Sequence, residues 1–263
     1  CIREVKSKLK KSPNSLHLLN YQAMAYSALK RDREALLAYQ KIVKKDPSLA
    51  GPYYNMGIIL KRNGRIEEAI SSYKKAISLK PDYVQAYNNL GILYINQGLI
   101  SKGEEVLKRN LEIVKTNYGN IHAETATAFN NLALVYEDPK KSIPLLKKSL
   151  KITKEIYGAN NANSLAAMSN LALAYFEDKE YEKAEKLFLE AIDMDRKILG
   201  EKHISNTITM SNLANLYLAI SEYKKAEKLL LDSLSIRKEY LNKEHPDIAS
   251  NLIDLGEIYN CLL

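Results

Sequence analysis

The sequence predicts an all-α protein built from stacked helical hairpins, and three observations carry that reading. Prolines recur at a spacing of 34 residues (Pro13, Pro47, Pro81), and so do small and aromatic residues: Ala23, Gly57 and Gly91; Ala35 and Ala69; Tyr39 and Tyr73. Within each period the apolar positions fall at helical spacing. The composition also suits helices: 263 residues with only 10 Gly and 7 Pro, 46% hydrophobic and 27% charged. Self-similarity at such a period marks a repeat architecture in which one unit cannot bury its own apolar face.

One unit, numbered so that Pro47 and Pro81 stand at position 32, reads Tyr53 (4), Met56 (7), Gly57 (8), Leu60 (11), Ala69 (20), Tyr73 (24), Ala76 (27) and Pro81 (32). Positions 4, 7, 8 and 11 share a face of a first helix, and 20, 24 and 27 share a face of a second. Gly or Ala at 8 and 20 lets the two backbones approach, and a large residue at 11 and 24 fills the space beside them. Gly64 and Gly98 fall in the turns within hairpins, while Pro47 and Pro81 stop the second helices.

From residue 90 the period lengthens. Leu90-Gly91 with Tyr94 returns as Leu132-Ala133 with Tyr136, then as Leu171-Ala172 with Tyr175, Leu213-Ala214 with Tyr217, and Leu255-Gly256 with Tyr259. The steps are 42 residues except for one of 39, which a deletion of three at Glu137-Asp138-Pro139 explains. Gly119, Gly158 and Gly200 follow long second helices, where left-handed caps are expected. Asn242 stands in the fourth such place and is expected to tolerate the same cap.

These units resemble the tetratricopeptide repeat family over nearly the whole chain. Tyr87-Asn88-Asn89-Leu90-Gly91, preceded by Lys80-Pro81-Asp82-Tyr83, is close to the family pattern. Residues 119–263 resemble the 42-residue repeats of kinesin light chains, with Asn-Leu-Ala-x-x-Tyr segments and the linkers Gly119-Asn120-Ile121-His122 and Gly200-Glu201-Lys202-His203. Gly158-Ala159-Asn160-Asn161 replaces the His by Asn, and Asn242-Lys243-Glu244-His245 replaces the Gly. The heptads that would join a light chain to a motor are absent from this sequence. The resemblance implies a right-handed superhelical solenoid of antiparallel helix pairs. The 34-residue type is expected over 1–118 and the longer type over 119–263, as one continuous solenoid. Residues 1–12 read as a second helix and Ile248–Tyr259 as a first helix, each without its mate. With no initiator Met, the chain reads as a fragment of a longer one. A competing reading takes Cys1 as the mature N-terminus of a bacterial lipoprotein.

In this family the first helix lines the concave groove. Position 6 carries Asn55, Asn89, Asn131, Asn170 and Asn212 in consecutive units. Asn offers both a donor and an acceptor, and in relatives such a ladder holds extended peptides by their main chain. Lys61, Arg62, Asn88, Asn130 and Asn215 are further expected peptide-binding residues, and Asn96, Glu137, Asp138, Phe176 and Glu177 share the groove. The competing reading is that duplication copied one structural Asn bonded to its neighbouring helix. Position 5, with Asn20, Tyr54 and Asn88, lacks the Lys of the family's chaperone carboxylate clamp, which disfavours chaperone C-termini as ligands.

The expected function is a non-catalytic protein–protein interaction scaffold whose ligand is a protein or peptide segment in the groove. The alternative is a substrate-recruiting arm of a larger enzyme or signalling protein. Catalytic, metal and cofactor sites are not expected. His122, His203 and His245 lie in equivalent linkers, too far apart to converge, and read as linker-packing residues. The Gly98-x4-Gly103 run lacks the Lys of a phosphate loop. Two Cys at opposite ends exclude a disulfide framework, and no apolar run approaches a membrane span. Formal net charge is +8, but unevenly spread: 11 basic and 4 acidic residues in 1–50, 10 and 6 in 51–118, 18 and 21 in 119–263. The acidic C-terminal part and the repeat type disfavour nucleic acid. The absence of an N-x-S/T sequon favours a cytoplasmic setting. The apolar faces of the end half-repeats could pair between molecules.

Overall fold

A computed structural model describes Ser7, Ser12 and residues 15–262; the side chain of Cys261 and most of the expected half-hairpin at 1–12 lie outside the described residues. The chain divides into two compact units, residues 1–117 and 118–263. Thirteen helices and no strand occur among the described residues.

The first unit contains α1 (Leu16–Ala28), α2 (Asp32–Lys45), α3 (Ala50–Arg62), α4 (Ile66–Leu79), α5 (Val84–Asn96) and α6 (Ile100–Tyr118, whose last residue falls in the second unit). α1 pairs with α2 and α3 with α4 as hairpins, and the second helices α2 and α4 also pack on the first helices α3 and α5 that follow them. The core runs from Leu19 to Tyr94 through Ala23, Ala35, Tyr39, Ala69 and Tyr73. These are the small and large positions of the repeat, and Tyr39 and Tyr73 are 1% and 0% exposed. A Cβ added at Gly91 would meet Leu107 at 2.5 Å, and one at Gly103 would meet the Gly91 carbonyl at 3.1 Å, so α5 and α6 touch backbone to backbone.

The second unit contains α7 (Ala123–Ala133), α8 (Pro139–Tyr157), α9 (Ala162–Glu177), α10 (Tyr181–Leu199), α11 (Asn206–Ala219), α12 (Tyr223–Tyr240) and α13 (Pro246–Leu262). Its core reuses the pattern: Ala172, Ala184, Phe188, Ala214, Ala226 and Leu230 are all 0% exposed. Buried Arg237 of α12 reaches α13 by donating to the Asp247 carbonyl at 2.7 Å and to Asn251 Oδ1.

The turns inside hairpins share one construction. The amide of the residue opening the second helix donates five residues back, as in Arg31 to the Tyr26 carbonyl, Arg65 to Leu60 and Glu180 to Tyr175, each at 2.9 Å. This is a Schellman-type closure with its penultimate residue at positive φ. Gly64 and Gly98 take that place in two hairpins, but Lys30, Lys179 and Ser221 take it in others, at φ 55°, 60° and 61°. The α7–α8 link differs because three residues are missing. α7 stops at Ala133, and tight backbone bonds, Val135 to Leu132 and Tyr136 to Ala133, replace the closure. Asp138 then caps α8 by accepting from the Lys140 amide at 3.0 Å, with Pro139 as first helical residue.

The links between hairpins correct one expectation. Gly158 and Gly200 have φ/ψ of 81°/169° and 97°/159°, beyond the left-handed helical region and in one that only glycine adopts readily. Asn242 does not follow them. A Cβ is strongly disfavoured there, so α12 instead leaves through Leu241 in an extended conformation.

Candidate functional site

The expected peptide-binding residues all lie on first helices, and the structure gives them unequal roles. In the first unit Asn55 hydrogen-bonds to the Tyr39 hydroxyl, whose pKa burial pushes up to about 12. Asn89 donates to Tyr54 Oη at 3.2 Å. Asn88 accepts from Asn110 at 2.8 Å, and Asn110 is fully buried in α6 where other repeats carry Ala, Ser or Ile. Arg62 forms an ion pair with Asp32 of α2, with Nε 3.0 Å from Oδ2, so it reaches a ligand only by leaving that partner. The side chain of Lys61 has no partner among the described residues and is half-buried.

In the second unit Asn131 is 9% exposed and has an intramolecular partner. Asn170 donates to Asn130 Oδ1 at 2.7 Å, bridging α9 to α7. The side chains of Asn212 and Asn215 on α11 have no partner among the described residues. The position-6 asparagines therefore do not form a uniform row of free amides. Asn55, Asn89 and Asn170 are engaged with the preceding hairpin, because a short amide on a first helix reaches the adjacent stacked helix, and Asn131 has a partner as well. Each bridging amide keeps further capacity: Asn170 has a second N–H and its own carbonyl, and Asn130 has both N–H groups.

Two depressions flank the Asn130–Asn170 bridge and share Asn170. One, of about 160 Å³, is lined by Thr127, Asn130, Asn163, Ala166, Thr153 and Tyr157. The other, of about 290 Å³, is lined by Leu134, Tyr136, Glu137, Leu173, Ala174 and Glu177. Of these lining residues, Asn130, Asn170, Glu137 and Glu177 were expected in the groove from the sequence. Leu134 and Leu173 were not expected there; they share register position 9 with Asn215, itself an expected peptide-binding residue. That shared position was the available signal.

The linker residues, expected to pack, also accept backbone hydrogen bonds. His122, His203 and His245 each accept a hydrogen bond through Nδ1 from the amide two residues on, at 3.2, 3.3 and 3.2 Å. Asn161 does the same through Oδ1 at 2.9 Å. His122 and Asn161 are the N-caps of α7 and α9, so imidazole and amide serve alike, whereas His203 closes a turn ahead of α11, whose N-cap is Ser205. His122 also stacks on Tyr118, with centroids 4.6 Å apart. The carbonyl of each linker glycine is held by a buried side chain six residues on: Thr125 to Gly119 at 2.7 Å, Ser164 to Gly158 at 2.8 Å and Asn206 to Gly200 at 3.2 Å. In the fourth linker both members change together, to Asn242 and Ile248. No group of three His, Cys, Asp or Glu close enough to hold a metal ion occurs among the described residues. No helix among them is long and apolar enough to cross a membrane.

A profile described as tetratricopeptide repeat matches residues 137–197 and 205–262, and others so described match 21–48 and 38–71. One described as TPR repeat matches 59–98. The chain belongs to the tetratricopeptide repeat family. No curated protein matches the sequence. Among solved structures, BtubC (BKLC) from P. vanneervenii superposes with a TM-score of 0.69 at 20% identity, covering 87% of this chain and 94% of its own. Nearly identical TPR-like repeats of a putative kinesin light chain from Podosopora anserina give 0.61 at 22%, covering 69% and 87%. YrrB, described as a TPR protein with an unusual peptide-binding site, gives 0.50 at 19%, covering 77% and 94%. The later repeats of this chain thus resemble those of kinesin light chains, and the shared property is the fold.

Proposed function

We propose that the protein is an interaction scaffold whose second unit holds an extended polypeptide segment on the first-helix face of α7, α9 and α11. The observation that carries this reading is the Asn130–Asn170 bridge with a depression on either side. A main chain laid across the bridge would meet amides with unused donors and acceptors, and its side chains would enter the depressions. Asn212 and Asn215 extend the same chemistry with free amides. Net hydrogen bonds contribute about 0.5–1.5 kcal/mol each. A few of them give modest, sequence-tolerant binding, so selectivity rests on the depressions. In the first unit Asn88, Asn89 and Lys61 offer a second, smaller set. The peptide-binding site named for YrrB supports the reading by analogy of fold. Nothing in the residue set suggests a nucleophile, a paired general acid and base, or a metal, and the role we assign is non-catalytic.

The test is selection of random dodecapeptides on the purified chain, followed by fluorescence anisotropy. Selected peptides are expected to bind wild type and to lose about fivefold to tenfold in affinity with Asn170→Ala or Asn212→Ala, at unchanged helicity and melting temperature. Peptides that bind both variants as tightly as wild type would place the site elsewhere.

A further inference from the structure

The three-residue deletion has a consequence beyond the fold. Where other hairpins close with a Schellman turn, the shortened α7 ends at Ala133. The 290 Å³ depression lies beyond that end. Its walls are aliphatic and aromatic: Leu134, 55% exposed, with Tyr136, Leu173 and Ala174. Two carboxylates, Glu137 and Glu177, stand exposed on its lining.

These two carboxylates differ from the lysine-paired acids of the same unit. Elsewhere in the unit Glu180, Glu190, Asp193, Glu222 and Glu239 pair with lysines. Glu137 and Glu177 have no ion pair or hydrogen bond among the described residues. No lysine or arginine lines the depression. Three cations on neighbouring elements sit over tyrosine rings: Lys141 over Tyr136 at 5.9 Å, and Lys147 and Lys183 over Tyr175 at 5.5 Å.

We propose that this depression is a specificity subsite for a lysine or arginine side chain of the bound segment. The proposal rests on the reading that the first-helix face takes an extended peptide. A long basic side chain can lay its methylene stem along apolar walls while its charged head remains at a polar edge. Leu134 and Leu173 provide such walls, and Glu137 and Glu177 provide the edge. A purely apolar side chain would cover the leucines but leave the carboxylates partly desolvated and unpaired. The acidic excess of residues 119–263 favours the approach of a basic segment.

The test uses the full chain, isotopically labelled, and short acetylated and amidated Gly/Ser peptides that differ only in a central Lys, Arg, norleucine or Glu. NMR titration follows the backbone amides of 133–137 and 173–177. The Lys and Arg peptides are expected to shift these signals and to bind about threefold to tenfold tighter than the norleucine peptide. That preference should vanish in the double variant Glu137→Gln/Glu177→Gln and shrink at high salt. Equal binding of the norleucine peptide, with shifts on the same face, overturns the basic subsite and leaves the peptide-binding reading standing. Shifts confined to other helices, or none from any peptide at millimolar concentration, overturn both.

Discussion

At the scale of single residues, the linkers show polar side chains doing structural work that their chemistry alone did not reveal. His122 caps α7 through Nδ1, which accepts from the Glu124 amide at 3.2 Å. His122→Ala should cost about 1 kcal/mol, the usual loss of a cap, whereas His122→Asn should keep most of the stability, since Asn161 caps α9 from the equivalent place. Urea unfolding of the two variants side by side checks this. Asp195, on α10, is 2% exposed, and one of its oxygens has no partner among the described residues. Burial raises its pKa above the ordinary 3.8, with His203 opposing the shift. The folded state therefore binds this proton more tightly than the unfolded chain. Ionised Asp195 is a cost at neutral pH. That cost is removed as pH falls through the raised native value, and the full benefit of protonation is present below the unfolded value. Asp195→Asn should raise the melting temperature at pH 7 and do so less at pH 4, as calorimetry at the two pH values would show.

At the scale of the element, the hairpin turns and the close helix contacts are where stability can be moved most simply. Lys179 occupies a left-handed position that Gly64 and Gly98 fill in other hairpins. A Cβ there is disfavoured by roughly 1–2 kcal/mol, but glycine also loses more backbone entropy on folding. Lys179→Gly should give a net gain of up to about 1 kcal/mol, read as a rise in the denaturation midpoint. The opposite change belongs to the helix contact. At Gly91 an added Cβ would press on Leu107 at 2.5 Å, so Gly91→Ala should destabilise by about 1–3 kcal/mol through overpacking despite its better helix propensity. Spacing made Gly91 visible as a small core position and Gly64 and Gly98 as turn residues. It could not show that Lys30, Lys179 and Ser221 adopt the same backbone as glycine, because the five-residue closure constrains those turns whatever residue stands there.

At the scale of the whole molecule, each unit is a row of hairpins whose contacts are made with immediate neighbours. Leu230 lies fully buried on α12, at the large position of its repeat. Leu230→Ala should cost about 2–5 kcal/mol. Amide exchange should accelerate most in α11–α13 and least in α7–α8, since interfaces in such arrays couple mainly to the next repeat. Uniform loss of protection across the second unit would instead mean that its hairpins unfold together.

The sequence by itself determined the repeat, its two helices and the small and large core positions, because each must recur wherever identical helix pairs stack. Position 24 is Tyr39, Tyr73, Leu107, Leu146, Phe188 and Leu230, and all six are buried. It also placed the asparagines on first helices. Only the tertiary structure decided which of those amides are free. Asn170 reaches Asn130 across 40 residues of sequence, Asn89 reaches Tyr54 across 35, and Arg62 turns to Asp32. Periodicity states which face a residue occupies, but whether its polar atoms are already satisfied depends on the side chain opposite, in another repeat. The same reason separates Glu137 and Glu177 from the paired acids around them: the deletion that shortened α7 can be read in the sequence, and the depression it left can be seen only once the helices are packed.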